Sequence, residues 1–246
     1  MQAGASVPDV GPRLRFRAVA LAITAYAVAM AYVESAVVVY LQTALNAQVG
    51  AVFPIQPANQ GGGLIAIEAG REAATIVMIA AVGMLAGRTW LERLAWSAVI
   101  FGIWDIGYYA WLYVFSGWPP SLGTPDILFL LPVPWVGPVW SPMVVSVALV
   151  GVGLVAASSV RRGRRLSIAP RHLVAGLGGG LLVILSYTLD AGRLIDGGMP
   201  GPFPWPIFGA GLLVALAAAA DALRKSRAWD YRSGSGSGPG STSPSR

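Results

Sequence analysis

Apolar residues fall into six long runs almost free of charge, near residues 18–41, 64–87, 94–115, 138–160, 173–190 and 205–223. About 20 helical residues, each rising ~1.5 Å, cross the ~30 Å core of a bilayer, so runs of this kind are of spanning length. The fifth is short and rich in glycine. Inside lipid every backbone N–H and C=O has to be satisfied within the protein, which selects helices. A barrel would show ten-residue strands alternating apolar and polar, and no run alternates in that way. The pattern predicts an all-α membrane protein: a bundle of six transmembrane helices over residues 18–227, between an N-terminal segment 1–17 and a disordered tail 228–246. The first run exceeds the ~7–15 residues of a signal-peptide core and no A-x-A site follows it, so it reads as a retained helix.

Composition narrows the classes. Of 246 residues, 55% are hydrophobic and 11% charged, and the mean hydropathy is +0.64. A water-soluble domain carries roughly a quarter of its residues as charges, and a disordered chain lacks this much apolar surface. There is no Cys and only one His, which removes disulfides, zinc–thiolate sites, iron–sulfur clusters and multi-His metal sites.

Charge then orients the bundle. All of the 17 basic residues except Arg71 and Arg193 lie before the first run, between the second and third, between the fourth and fifth, or after the sixth. These are alternate segments, so the positive-inside rule places them, and both termini, in the cytoplasm. The pI of about 10.1 is thus a membrane signal. The cluster Arg161–Arg165 suits anionic lipid headgroups better than nucleic acid. The expected location is the cytoplasmic membrane of a prokaryote, with membrane lipids as partners; oligomeric state is not encoded. Trp90, Trp96 and Trp229 mark the inner interface, and Tyr40, Tyr113, Trp118, Trp135, Trp140 and Trp205 the outer one.

The outer loop after the third run, residues 116–137, is Trp/Pro-rich and too apolar for an ordinary solvent loop. Its centre, Ile127–Val136, is too short to span and suits an interfacial or re-entrant segment, either a plug at headgroup level or a lid over a site. Pro and Gly also open each helix that enters from outside, in Phe53–Gly63, Leu131–Pro142 and Met199–Pro206.

Ionisable residues inside the runs carry the candidate chemistry, because each is costly in lipid unless paired, hydrated or neutralised. Counting ~1.5 Å per residue, Glu34 lies roughly 6 Å below the outer edge, Glu68, Arg71 and Glu72 roughly 7, 12 and 13 Å, and Asp105 about 13 Å. Glu68, Arg71, Glu72 and Thr75 share one helical face, as do Asp105, Tyr109 and Leu112. Ser186 and Asp190 line one edge of the fifth run, and Arg193 follows it. Four carboxyl groups face one guanidinium, so protons or a cation must neutralise the layer. With oxygen ligands only, Glu68, Glu72 and Asp105 would favour Mg²⁺, Mn²⁺ or Ca²⁺. A small-residue row, Ala66, Gly70 and Ala74, is expected to admit a neighbouring helix.

Other signals add little. His172 reads as an interfacial residue, and Gly176 with Gly178–Gly180 as close helix packing, since no strand precedes a nucleotide loop there. Walker, GxSxG, HExxH and EF-hand motifs are absent. Below the carboxylate layer the notable polar residues are Thr24, Tyr26, Thr75, Ser97 and Ser146, none ionisable.

A dry inner half makes the site one-sided. The leading expectation is a membrane-embedded enzyme acting at the outer leaflet on a lipid or other amphipathic substrate. Glu68, Glu72, Asp105 and Glu34 would be its acid/base or metal-binding groups, with Arg71, Tyr109, Asp190 and Arg193 holding substrate. The alternatives are a small proton- or cation-coupled transporter or channel, and a non-catalytic membrane subunit or sensor whose polar layer docks a partner.

Overall fold

The computed structural model describes residues 12–44, 61–164, 166 and 168–234. In chain order these form α1 (Pro12–Ala44), α2 (Gly61–Ala86), α3 (Trp90–Ser116), β1 (Pro125–Phe129), β2 (Trp135–Pro138), α4 (Trp140–Arg161), α5 (Pro170–Thr188), α6 (Ala191–Ile195) and α7 (Trp205–Gly234). Six of the helices are long and apolar enough to cross a membrane. The chain is a polytopic helical membrane protein. Helix α7 continues past residue 227, where the sequence reading ended the bundle. Residues 235–246 and most of Phe53–Gly63 lie outside the described residues, and so do the side chains of Arg165 and Trp229.

Local signals explain several boundaries. At the start of α3 the Thr89 hydroxyl accepts from the Glu92 N–H at 3.2 Å, and the Glu92 carboxylate accepts from the Arg88 N–H at 2.9 Å. The first bond satisfies one of the orphan donors of the first turn, and the second ties the residue before the cap back to the helix. Gly117 ends α3 in the left-handed region, φ 72°, with its N–H returned to the Tyr113 carbonyl. Pro170 opens α5, and there the Ala169 N–H donates to Nδ1 of His172 at 3.1 Å.

Packing divides the molecule into two bodies with a hairpin between them. Helices α1, α2 and α4 pack on α3, around a core of Trp96, Val99 and Ile100. Contact is close where side chains vanish: a Cβ on Gly153 would lie 2.7 Å from the Ala95 carbonyl, and one on Gly102 2.5 Å from that of Ser146. Helices α5 and α7 form the second body, crossing where Gly179 and Gly211 face one another. That crossing is the close packing expected of the glycine run. The Ala66, Gly70, Ala74 row does not serve this way. All three are exposed, and a Cβ on Gly70 would meet nothing within 4 Å.

The segment read as interfacial or re-entrant is an antiparallel hairpin. Its register pairs Asp126 with Gly137 and Ile127 with Val136, with an irregularity before Phe129–Trp135. Backbone bonds Val139 N–H to Thr124 O (3.0 Å) and Trp140 N–H to Leu122 O (2.9 Å) close its open end. Phe129 packs inward against Phe101 and Trp104, with ring centroids 6.3 and 6.4 Å away. Tyr187 on α5 stacks against Trp135 at 6.3 Å, which links the hairpin to the second body. The hairpin thus sits among helices at one end of the bundle. The opposite end carries most of the arginines.

Trp96 departs from its expected belt position. It is fully buried and its Nε1–H donates to Glu92 at 3.2 Å, whereas Trp90, Tyr40 and Tyr113 are well exposed, as belt residues should be.

Candidate functional site

The hairpin end gathers every ionisable residue of the expected layer, but sorts them onto different partners. Arg71 on α2 donates through Nε to both Glu68 oxygens, at 3.1 and 3.0 Å, and its Nη1 forms an ion pair with Glu34 on α1. The Thr75 hydroxyl, one turn beyond Arg71, donates to the other Glu34 oxygen. Glu34, Glu68, Arg71 and Thr75 therefore form one cluster joining α1 to α2. Thr75, read as lying below the layer, belongs to it.

Glu72 points elsewhere. Its two oxygens accept from the Leu130 N–H at the hairpin turn, at 3.0 and 2.9 Å. Non-helical backbone among transmembrane helices needs this kind of satisfaction, so Glu72 holds the hairpin in place. Asp105 on α3 accepts from the Ser146 hydroxyl of α4 at 2.8 Å and is 9% exposed. Ser146, too, moves into the layer. Glu68, Glu72 and Asp105 thus engage an arginine, a backbone amide and a serine in turn. Among the described residues no three His, Cys, Asp or Glu side chains come together as a metal-holding group. The divalent-metal triad expected from sequence is not assembled, and no role for Mg²⁺, Mn²⁺ or Ca²⁺ follows from this geometry.

Asp126 was missed in the sequence. It is buried on β1 and accepts from the Tyr109 hydroxyl of α3 at 3.0 Å. Burial pushes its carboxyl up to about 7, opposed by the hydrogen bonds from Tyr109 and the Ile127 N–H and reinforced by Asp105. A signal existed: Asp126 is the one charge in the apolar loop 116–137, with no basic residue in that loop to neutralise it.

Two cavities flank this end. One, about 410 Å³, lies in the cleft between the two bodies, walled by α3, α4, α5, α7 and the hairpin. Its lining is apolar along the helices, through residues such as Leu149, Val152 and Leu216, and Gly176 and Gly180 leave room on the α5 side. From Gly176 to Tyr187 it follows α5 for roughly 16 Å at ~1.5 Å per residue. The polar residues of the lining are Asp105, Trp135 and Tyr187, and Trp135 Nε1 is enclosed behind the wall without a hydrogen-bond partner. Leaving a buried donor unpaired costs about 1–3 kcal/mol.

The second cavity, about 420 Å³, opens at the hairpin end and is lined by Asp190, Ser186, Tyr187 and the segment Pro200–Trp205. Asp190 and Arg193 thus lie by a different cavity from the carboxylate layer. Tyr109 is in the layer, but its hydroxyl is committed to Asp126.

The arginine-rich end holds two further polar nodes. Glu92, fully buried, is ion-paired with Arg161 of α4, which also donates to the Ala86 carbonyl at 3.2 Å. The inner half therefore does contain ionisable residues. Glu92 was read as lying between spans because α3 starts four residues earlier than its apolar run. His172, in the first turn of α5, is buried against its neighbours, and its Nε2 is 2.9 Å from Asp221 of α7.

No protein-family model, curated protein or solved structure matches this chain. Its function has to be argued from the site itself.

Proposed function

We propose that this protein is a membrane-embedded enzyme acting on a lipid-like amphipath, which occupies the cleft between the two helical bodies with its apolar chain along α5 and its polar end at Asp105. One observation carries the reading: the cleft is apolar over its length and carries a carboxyl group at one end, where Asp105 lines it together with Trp135 and Tyr187. Its volume falls within the roughly 300–1,000 Å³ of ligand cavities. Helices α4 and α7 touch at few positions, so a lipid enters sideways between them. By the positive-inside rule the hairpin end is the outer one, and the substrate comes from the outer leaflet.

In this reading Asp105 is the proton-transfer group. Ser146 fixes its orientation, and the apolar wall raises the strength of any interaction it makes. The Arg71–Glu34–Glu68–Thr75 cluster and the Glu72–Leu130 contact position α2 and the hairpin around it.

The test is lipid conversion. Protein reconstituted into vesicles of bacterial total lipid is followed by mass spectrometry of the lipid extract, beside an Asp105→Asn variant of equal thermal stability. A lipid species consumed by the wild type and untouched by the variant is expected. Identical lipid profiles for wild type, variant and protein-free vesicles contradict the enzyme reading.

A further inference from the structure

Five carboxyl groups lie in the layer at the hairpin end, and three of them are already answered. Glu34 and Glu68 share the Arg71 guanidinium, and both Glu72 oxygens accept from the Leu130 N–H. Asp105 and Asp126 have no cation. Their side-chain partners among the described residues are the hydroxyls of Ser146 and Tyr109. Asp126 is buried on β1, close enough to Asp105 for the two carboxyls to repel. Asp105, more than nine-tenths buried, lines the cleft. Ser146 occupies its Oδ2, which leaves Oδ1 to whatever enters the cleft.

The cleft supplies nothing positive. Among the described residues its lining holds no Lys, Arg or His, and Asp105 is its one carboxyl. A carboxylate beside an apolar wall is costly while it stays unpaired. An anionic head would set a like charge against it. A neutral hydroxyl could donate to Oδ1 but would leave the charge standing. An ammonium meets both needs at once, because its N–H donates to Oδ1 and its charge neutralises the carboxylate. In surroundings this apolar the attraction is screened far less than in water.

From this we infer that the Asp105 end of the cleft is an amine site, taking the ammonium head of an amphipath whose tail follows α5. The inference rests on the proposed occupancy of the cleft and names the class of its occupant: a lipid-like amine with at least one N–H, with no phosphate or sulfate at the carboxyl. Asp105 then faces the amine nitrogen, and the proton it handles in the proposed reaction is one carried by that nitrogen.

Octylammonium, octanol and octyl phosphate share a tail and differ in the charge of the head. Each is titrated, below its critical micelle concentration and at neutral pH, onto the protein in phosphatidylcholine nanodiscs. An Asp105→Asn variant of equal thermal stability is titrated beside it, so that partitioning into the bilayer cancels. Tryptophan fluorescence reports binding, since Trp135 is part of the lining. The wild type is expected to bind octylammonium about ten-fold more tightly than either other head. Asp105→Asn should lose that preference while octanol binds both proteins alike, and Asp105→Ala serves the same comparison should the amide fold poorly. Equal affinity for the three heads, or an ammonium preference that survives loss of the carboxyl, overturns the inference. Methylammonium, which has no tail, should fail to displace octylammonium at millimolar concentration; displacement would mark a site for free amines and overturn the lipid class. Binding is read apart from turnover. An ammonium preference without lipid conversion keeps the amine site and removes the enzyme, whereas lipid conversion without the preference does the reverse.

Discussion

The two ends of the bundle bury charge in opposite ways. At the arginine-rich end Glu92 accepts from Arg161, from Trp96 Nε1 and from the Arg88 N–H, while Arg161 has a further carbonyl to bond. At the hairpin end Asp105 has one serine and lines the cleft. The first arrangement is closed and the second leaves a carboxyl group with spare capacity beside a cavity. Buried polar groups that satisfy one another hold helices together. Those left short beside an empty volume are where a ligand gains most.

The largest effect expected from this contrast is on stability at the closed end. Glu92→Ala leaves Arg161 buried and uncompensated, which costs about 3–5 kcal/mol. A fall of roughly 10 °C in thermal unfolding is expected, and Glu92→Leu with Arg161→Met should recover most of it. A single variant as stable as wild type would show that the pair is not a lock.

Next in size is the pH response of the hairpin. An unfolded Asp ionises near pH 4, whereas buried Asp126 holds its proton to about 7. Between these values the folded hairpin binds the extra proton, so its stability falls as pH rises from about 4 to 7 and is level above that. The change is on the order of a few kcal/mol. Hydrogen exchange of the hairpin amides, corrected for the intrinsic rate, should quicken over this window, and Asp126→Asn should flatten the response.

Much of this layout was readable in the chain. Six apolar runs with arginines in alternate gaps located all six long helices, although α1 begins before its run and α7 extends well past its own, because apolar length and charge are one-dimensional properties. Counting depth along each helix brought Glu34, Glu68, Arg71, Glu72 and Asp105 to one level, and the structure gathers them at the hairpin end. Azimuth was the missing coordinate. Spacing put Glu68 and Glu72 on one face, yet one turns to Arg71 and the other to the hairpin, since the partner across the gap decides. The hairpin itself was hidden: Ile127–Val136 is an apolar run interrupted by Pro132 and Pro134, and its pairing depends on Glu72 and the helices around it. The cleft is a property of two bodies failing to meet, which no local pattern records.

Smaller consequences separate the two ends further. Asp105→Asn keeps its size and its Ser146 partner, so stability should change by no more than about 1 kcal/mol while lipid conversion is lost. A matching fall in stability would make Asp105 structural instead. Smallest of all, Lys225→Ala removes an exposed i,i+4 pair with Asp221, and the thermal unfolding midpoint should not shift measurably.

The most direct measurement is the lipid carried by the purified protein, extracted and quantified by mass spectrometry from wild type and Gly180→Phe. Gly180 lines the cleft and a Cβ there meets nothing within 4 Å, so the position has room to start a side chain, and equal thermal stability of the variant is the check that the helices are undisturbed. About one tightly held amphipath per wild-type chain, absent from a variant of unchanged thermal stability, is the expected result. The same lipid load in both proteins would contradict the cleft as a binding site.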